Sequence, residues 1–106
     1  MSSSREYLDF ILDQLSGLKD ITFRQMMGEY IIYYRGKIVG GIYDDRLLVK
    51  PTPAALAMMP GAEREKPYEG AKDMLLVGET DDRAFLEALL TAMDEELPAP
   101  KKRKLP

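Results

Sequence analysis

Three runs of branched and aromatic residues, parted only by short polar gaps, dominate the stretch 26–50. The runs are 30–34, 38–43 and 47–49, and the gaps contain the pairs Gly36-Lys37 and Asp45-Arg46. Such residues favour a pleated, at least half-buried surface, and gaps of this length suit tight hairpins. The stretch therefore predicts an antiparallel meander that helices must cover.

Both alternate faces of the run 30–34 are apolar or aromatic, so neither face is suited to full exposure to water. One face must meet the helices of the chain, and the other needs a second cover, which a partner molecule would supply. This reasoning makes five residues candidates for an interaction surface: Tyr30, Tyr34, Arg35, Lys37 and Tyr43. The pair Gly40-Gly41 predicts a bulge or a close backbone approach, and the alternative is a ligand that touches bare backbone.

Helical periodicity and capping residues predict helices before and after the meander. In chain order the pattern predicts a helix at 4–16, an edge strand at 21–26, the meander, a short helix at 54–59, a loop at 61–70, a strand at 74–77 and a helix at 81–96. The predicted N-caps are Ser3, Thr52 and Thr80. This order predicts a single α+β domain, an antiparallel sheet of four to five strands flanked by N- and C-terminal helices. We expect the domain at 1–97 and a disordered basic tail at 98–106.

Charge is distributed unevenly between the domain and the tail. The chain has 15 cations and 18 anions, and four of the cations lie at 101–104, so residues 1–100 carry 11 cations, 18 anions and a net charge of −7. An acidic domain is repelled by phosphate. We therefore expect no direct binding of nucleic acid except weakly through Lys101, Lys102, Arg103 and Lys104.

The residues that most often carry enzyme chemistry are missing from the sequence. The chain contains no histidine and no cysteine, which removes the commonest general base, the thiolate nucleophile and the usual zinc ligands. The paired carboxylates at Asp44-Asp45, Asp81-Asp82 and Glu95-Glu96 fit turns and helix ends better than catalysis. We expect a protein that is not an enzyme and has no cofactor or metal site.

The compartment is indicated by features that the sequence lacks. The apolar runs are far shorter than the roughly 20 residues that span a bilayer. The polar start leads directly into a predicted helix, which does not resemble a secretory signal. Together with the absence of cysteine, this favours a cytoplasmic protein without a membrane partner.

A set of short motifs, taken in their order and spacing, resembles one known family. The motifs are Phe23-Arg24-Gln25-Met26-Met27-Gly28-Glu29-Tyr30, Tyr34-Arg35-Gly36-Lys37, Gly41-Ile42-Tyr43, Leu47-Leu48-Val49-Lys50 and Pro51-Thr52. They look like the N-terminal domain of TfoX/Sxy proteins, bacterial regulators of natural competence. Met27 departs from the pattern, since the family often has phenylalanine there. The match covers roughly 5–97, so we expect a stand-alone N-terminal domain without the C-terminal domain of full-length relatives.

The resemblance implies the fold directly, and full-length relatives are thought to assist a transcription activator. The leading hypothesis is therefore a noncatalytic, homodimeric protein-interaction module with a regulatory role. The alternative is a small anionic-ligand binder or an enzyme of unknown reaction, in which Arg24 and Lys50 hold the anion near Glu29 and the Gly40-Gly41 backbone.

Overall fold

A computed structural model describes residues 4–97 as one α+β domain, which confirms the predicted fold class. Within this range the helices are α1 (Arg5–Gln14), α2 (Pro53–Met58) and α3 (Arg83–Asp94). The strands are β1 (Ile21–Met26), β2 (Glu29–Tyr34), β3 (Lys37–Ile42), β4 (Leu47–Val49), β5 (Arg64–Glu65) and β6 (Met74–Leu76). The predicted tail at 98–106, with its four cations, lies outside the described residues.

The strands form one antiparallel sheet in the order β1-β2-β3-β4-β6-β5. Its six strands in residues 4–97 exceed the predicted four to five because β5 lies within the segment that the sequence predicts as loop. Strand β5 contributes two residues, with Arg64 opposite Leu75 and Glu65 opposite Met74. A strand of that length has no periodicity that sequence inspection could detect.

The two predicted hairpins of the meander close one residue earlier than predicted, and a third turn joins β1 to β2. The turn residues are Met27-Gly28, Arg35-Gly36 and Asp44-Asp45, and each has a positive φ. Two successive residues with positive φ match the twist of the flanking strands, as in type I′ hairpins. These turns set the register of the whole meander.

The helices cover one face of the sheet, which we call the helix side. Along β2, every second residue (Tyr30, Ile32 and Tyr34) is buried in the same core as the apolar stripes of α1 and α3. The helix stripes contribute Leu8, Ile11, Leu86, Leu89, Leu90 and Met93. The intervening β2 residues lie on the opposite, outer face and are half-buried.

Side-chain caps begin the first two helices. The Ser4 hydroxyl accepts a hydrogen bond from the backbone N–H of Tyr7 at 3.1 Å, so Ser4 is the N-cap of α1. The predicted cap Ser3 lies outside the described residues. Thr52 caps α2 as predicted, since its hydroxyl accepts from the N–H of Ala55 at 3.2 Å.

The predicted cap of the last helix was wrong by two residues. Asp82 caps α3, and its carboxylate accepts from the N–H of Phe85 at 3.0 Å. The carbonyl of Thr80 instead accepts from the Gln14 side-chain amide at 3.1 Å, which joins the loop before α3 to α1. Aspartate and threonine both serve as N-caps, so the choice between them depends on where the loop packs.

Candidate functional site

Two of the five candidate contact residues lie inside the domain. Tyr30 and Tyr34 are only 5% and 9% exposed, and both belong to the helix-side core. The ring of Tyr30 meets the ring of Phe23 edge to face, with centroids 6.0 Å apart. While the fold is intact, these two tyrosines stabilise the core and are not placed to contact a partner.

Arg35 and Lys37 sit at the β2–β3 turn and face the end of α3. The Lys37 ammonium donates to the Asp94 carbonyl at 2.8 Å and lies 3.1 Å from its carboxylate. The Arg35 guanidinium lies 3.6 Å from the same carboxylate and is far more exposed. The structure therefore gives Lys37 a structural ion pair, whereas Arg35 remains at the surface.

The two candidate anion-binding residues do not converge. Arg24 on β1 and Lys50 just after β4 are separated by two intervening strands. At about 4.8 Å per strand, that places their backbones roughly 14 Å apart. Lys50 borders a depression on the outer face that Arg24 does not line.

Tyr43 lies on the outer face, directly over Gly41. A Cβ at Gly41 would fall 2.6 Å from Cε2 and 2.8 Å from the hydroxyl of Tyr43. Because Gly41 has no side chain, the ring of Tyr43 can occupy the space above it. Gly40 serves a different purpose, since its Cβ would collide with the backbone carbonyl of Leu48. The predicted bulge is present beside this pair, where the β2–β3 register shifts between Ile32 and Tyr33.

The segment 66–73 crosses part of the outer face and forms a groove with it. Two adjoining depressions share Ile31 and Tyr43 from the sheet with Pro67 and Tyr68 from the segment. We call this surface the outer groove, and its apolar lining includes Met26, Met27, Ile31, Ile38, Tyr43, Pro67 and Tyr68. The expected second cover is therefore supplied in part by the chain itself.

Large apolar side chains remain exposed around the outer groove. Met27 is 94% exposed, Tyr68 65%, Met26 47% and Ile38 39%. Scattered apolar residues are normal on a protein surface, but these four all border the outer groove, which consists of the two adjoining depressions. Lys50, Lys72 and Asp73 lie at the far end of the groove and give it a polar rim.

Among the groove residues, sequence reasoning identified Tyr43 as a contact candidate and Lys50 as an anion-binding candidate. Pro67 and Tyr68 lie in a stretch without periodicity, so nothing local indicated that they would reach the sheet. The solvent-facing methionine at the Met27-Gly28 turn was a detectable signal, because turn positions with positive φ favour glycine, asparagine or aspartate.

The surroundings of Tyr43 in the groove favour the neutral form of its phenol. Burial raises the pKa of Tyr43 above the ordinary value of 10.0, and the charges of Tyr68 and Glu29 raise the pKa further. Burial also raises the pKa of Tyr7, on the helix side. Both phenols therefore hold their protons at neutral pH, where they act as hydrogen-bonding and packing groups.

The acidic side chains do not assemble into a metal site in the described part of the chain. Across residues 4–97, no group of three or more aspartate or glutamate side chains is arranged to hold an ion. No helix within that range is long and apolar enough to cross a membrane.

The fold and the matched residues together define a family. The sequence profile of the TfoX N-terminal domain matches residues 13–95, which include β1 to β6 and the outer groove. The chain therefore belongs to the TfoX N-terminal domain family, as the sequence motifs predicted, and this family is related to competence-associated proteins.

A relative of similar length supports the assignment. An uncharacterized 12.7 kDa protein in the trpE 5′ region of Spirochaeta aurantia is 35% identical over 105 residues, which span 98% of this chain and 91% of the relative. No solved structure matches the chain.

Proposed function

We propose that this protein is a noncatalytic protein-interaction module with a regulatory role, that it acts as a homodimer, and that the outer groove receives a partner protein. The observation that carries the proposal is the cluster of exposed apolar side chains around the outer groove. Apolar patches with a polar rim are typical of surfaces that bind other proteins. The regulatory role rests on the relation of the family to competence-associated proteins.

Met27 supports a binding role more specifically than the other groove residues. Its φ is 55° and its side chain is almost fully exposed. A methionine in this position adds backbone strain and leaves an apolar chain in water, whereas asparagine or glycine would avoid both costs. A contact with a partner gives this residue a benefit that the isolated fold does not.

The noncatalytic part of the proposal is supported by the chemistry of the side chains. The chain has no histidine or cysteine, and the pKa of Tyr43 in the groove is moved away from neutrality. The groove combines an apolar lining with a few rim charges, which suits side-chain packing better than proton transfer.

The experiment compares retention of bacterial proteins by three immobilised forms of the full chain. The groove variant is Ile38→Glu, which places a carboxylate among the apolar lining residues. The matched control is Leu56→Glu on α2, where an equally exposed residue lies outside the groove. We expect the wild type and Leu56→Glu to retain the same protein and Ile38→Glu to lose it, after which the retained protein is purified and its affinity measured.

The outcomes separate binding through the groove from binding elsewhere. Equal retention by all three forms would remove the groove as the contact surface. Circular dichroism shows whether Ile38→Glu folds. If it does not, Tyr68→Ala replaces it as the groove variant, because Tyr68 is 65% exposed and its removal leaves the core intact.

A further inference from the structure

We propose that two copies of this chain pair antiparallel through the free edge of β1, so that their two sheets become one continuous sheet. This inference rests on the homodimer part of the proposed function and names the surface that forms the dimer. It leaves the outer groove of each copy free to bind a partner.

The hydrogen-bonding direction of β1 shows which groups a second strand would meet. The N–H of Arg35 donates to the carbonyl of Asp20 at 3.0 Å, so the backbone of Asp20 faces β2. In an antiparallel pair this direction alternates along the strand. The backbone groups of Ile21, Phe23 and Gln25 therefore face away from β2, at the edge of the sheet in the described chain.

The two edges of the sheet differ in how they resist pairing. Strand β5 at one edge has only two residues, and short edge strands are one of the devices that prevent unwanted pairing. Strand β1 at the other edge has six residues, pairs with β2 without a register shift, and contains neither proline nor lysine. Only the β1 edge is open to a strand of comparable length within residues 4–97.

The residues of β1 are compatible with pairing to an identical strand. A two-fold axis perpendicular to the sheet keeps the helix sides of both copies on the same side. Centred on Phe23, it places Phe23 opposite the partner's Phe23 and Ile21 opposite the partner's Gln25. All three edge-facing residues then form hydrogen-bonded pairs, about six bonds in total. On the outer face, Arg24 comes opposite the partner's Thr22.

Charge disfavours the neighbouring register that is centred on Arg24. A shift of the axis to Arg24 would place the two guanidinium groups directly opposite each other, and opposed like charges destabilise a strand pair. On the helix side, the guanidinium of Arg5 lies over the Phe23 ring at 5.5 Å and is neutralised by Asp9 at 3.0 Å. The register centred on Phe23 therefore avoids direct contact between unpaired like charges.

A depression of mixed polarity beside the β1 edge would be closed by the second copy. It lies between α1 and β1 and is lined in part by Leu12, Leu18, Ile21 and Phe23. Phe23 is 37% exposed, and Phe10 on the adjoining helix is 39% exposed. The partner's Phe23 enters the helix side next to this depression, so dimer formation removes apolar surface from water on both copies.

The absence of native cysteine allows a test that is specific for the register. In the proposed dimer, the two Cα atoms at position 23 lie about 5.5 Å apart, within the range of roughly 4.4–6.8 Å that a disulfide requires. Phe23→Cys should therefore form a disulfide-linked dimer under mild oxidation. The control is Gln25→Cys, whose two cysteines would lie about 14 Å apart along the strands and should not link.

A second pair of variants covers the case in which Phe23→Cys does not fold. Thr22→Cys and Arg24→Cys both alter exposed outer-face residues, and only an equimolar mixture should link efficiently, giving a mixed dimer recognised by its mass. Sedimentation equilibrium of the wild-type chain provides the independent readout of dimer formation.

Each result has a distinct consequence. The inference is supported if the wild-type chain sediments as a dimer and a disulfide forms either in Phe23→Cys or in the mixture of Thr22→Cys and Arg24→Cys. A wild-type dimer in which Gln25→Cys links as readily as Phe23→Cys, or in which no variant links, overturns the β1 pairing and leaves the homodimer standing. If the wild-type chain is a monomer at every concentration and no cysteine variant forms a disulfide-linked dimer, both the β1 pairing and the homodimer are overturned.

Discussion

Lys37 joins the β2–β3 turn to the end of α3 through Asp94, a residue 57 positions later in the chain. Its ammonium lies 2.8 Å from the Asp94 carbonyl and 3.1 Å from the carboxylate, and both side chains are less than a fifth exposed. The same lysine is a plausible surface contact when the sequence alone is considered. Its position instead closes the domain by fixing the last helix against the sheet.

Replacement of Lys37 by methionine should therefore destabilise the fold and leave partner binding intact. The change removes two charge-assisted hydrogen bonds and leaves the Asp94 carboxylate with the more distant Arg35. We expect a loss of about 1–3 kcal/mol in the free energy of unfolding, measured by urea denaturation. Lys66→Met is the matched control at an exposed lysine and should change this free energy little. Equal stability of both variants would mean that the ion pair contributes nothing measurable.

The paired glycines of β3 should differ from other glycines in their response to alanine. A Cβ at Gly41 would fall 2.6 Å from the Tyr30 carbonyl and displace Tyr43, while a Cβ at Gly40 would collide with backbone. We expect each substitution to cost about 1–3 kcal/mol, with Gly40→Ala the more harmful because its Cβ would meet backbone alone and would lie closer to it. Gly61→Ala, which has open space around the new Cβ, should be tolerated. Thermal unfolding of the three variants checks this order.

Met27→Asn should stabilise the isolated domain and weaken capture of the partner. Asparagine adopts the positive φ of this turn more readily, so we expect a gain of about 0.5–1 kcal/mol in the free energy of unfolding. Loss of the exposed apolar chain should reduce retention of the partner. Met27→Leu keeps the apolar character and should retain the partner without gaining stability. Unchanged capture by Met27→Asn would remove this residue from the binding surface.

Stability should decline above pH 10 in a way that depends on Tyr43. The folded protein raises the pKa of this phenol above its ordinary value of 10.0, chiefly by burial. At higher pH the unfolded chain loses this proton more readily than the folded one, so unfolding becomes more favourable as pH rises. Below pH 10 the group contributes no slope. Tyr43→Phe should flatten the alkaline decline, which urea denaturation across pH would show; an identical slope in both proteins would contradict the argument.

Two adjacent aspartates at the start of α3 allow the N-cap hydrogen bond to be separated from a general effect of negative charge. Asp82→Ala removes the side chain that accepts from the N–H of Phe85, and we expect a cost of about 1 kcal/mol. Asp81→Ala removes an exposed carboxylate of the same charge at the same helix end. A larger loss for Asp82→Ala in chemical denaturation would identify the cap itself, whereas equal losses would indicate a general charge effect.

The tyrosines show how far sequence reasoning reached at the candidate site. Alternation along β2 indicated two apolar faces, and the structure has them. Periodicity cannot say which face the helices take, because the two faces of a strand are equivalent until something packs on one. Tyr30 and Tyr34 were therefore assigned to the surface, although the helices bury them. Among the five contact candidates, Tyr43 was the one that the structure places in the outer groove.

Local patterns by themselves determined the helices, the meander, the α+β class and the family resemblance, because turns, caps and alternation act between residues near one another in the chain. The tertiary structure alone decided the face that the helices cover, the position of β6 between β4 and β5, the tie from Lys37 to Asp94, and the crossing of 66–73 over the sheet. These features depend on contacts between residues far apart in sequence. Such contacts form only when the whole domain packs, so short-range sequence patterns do not predict them.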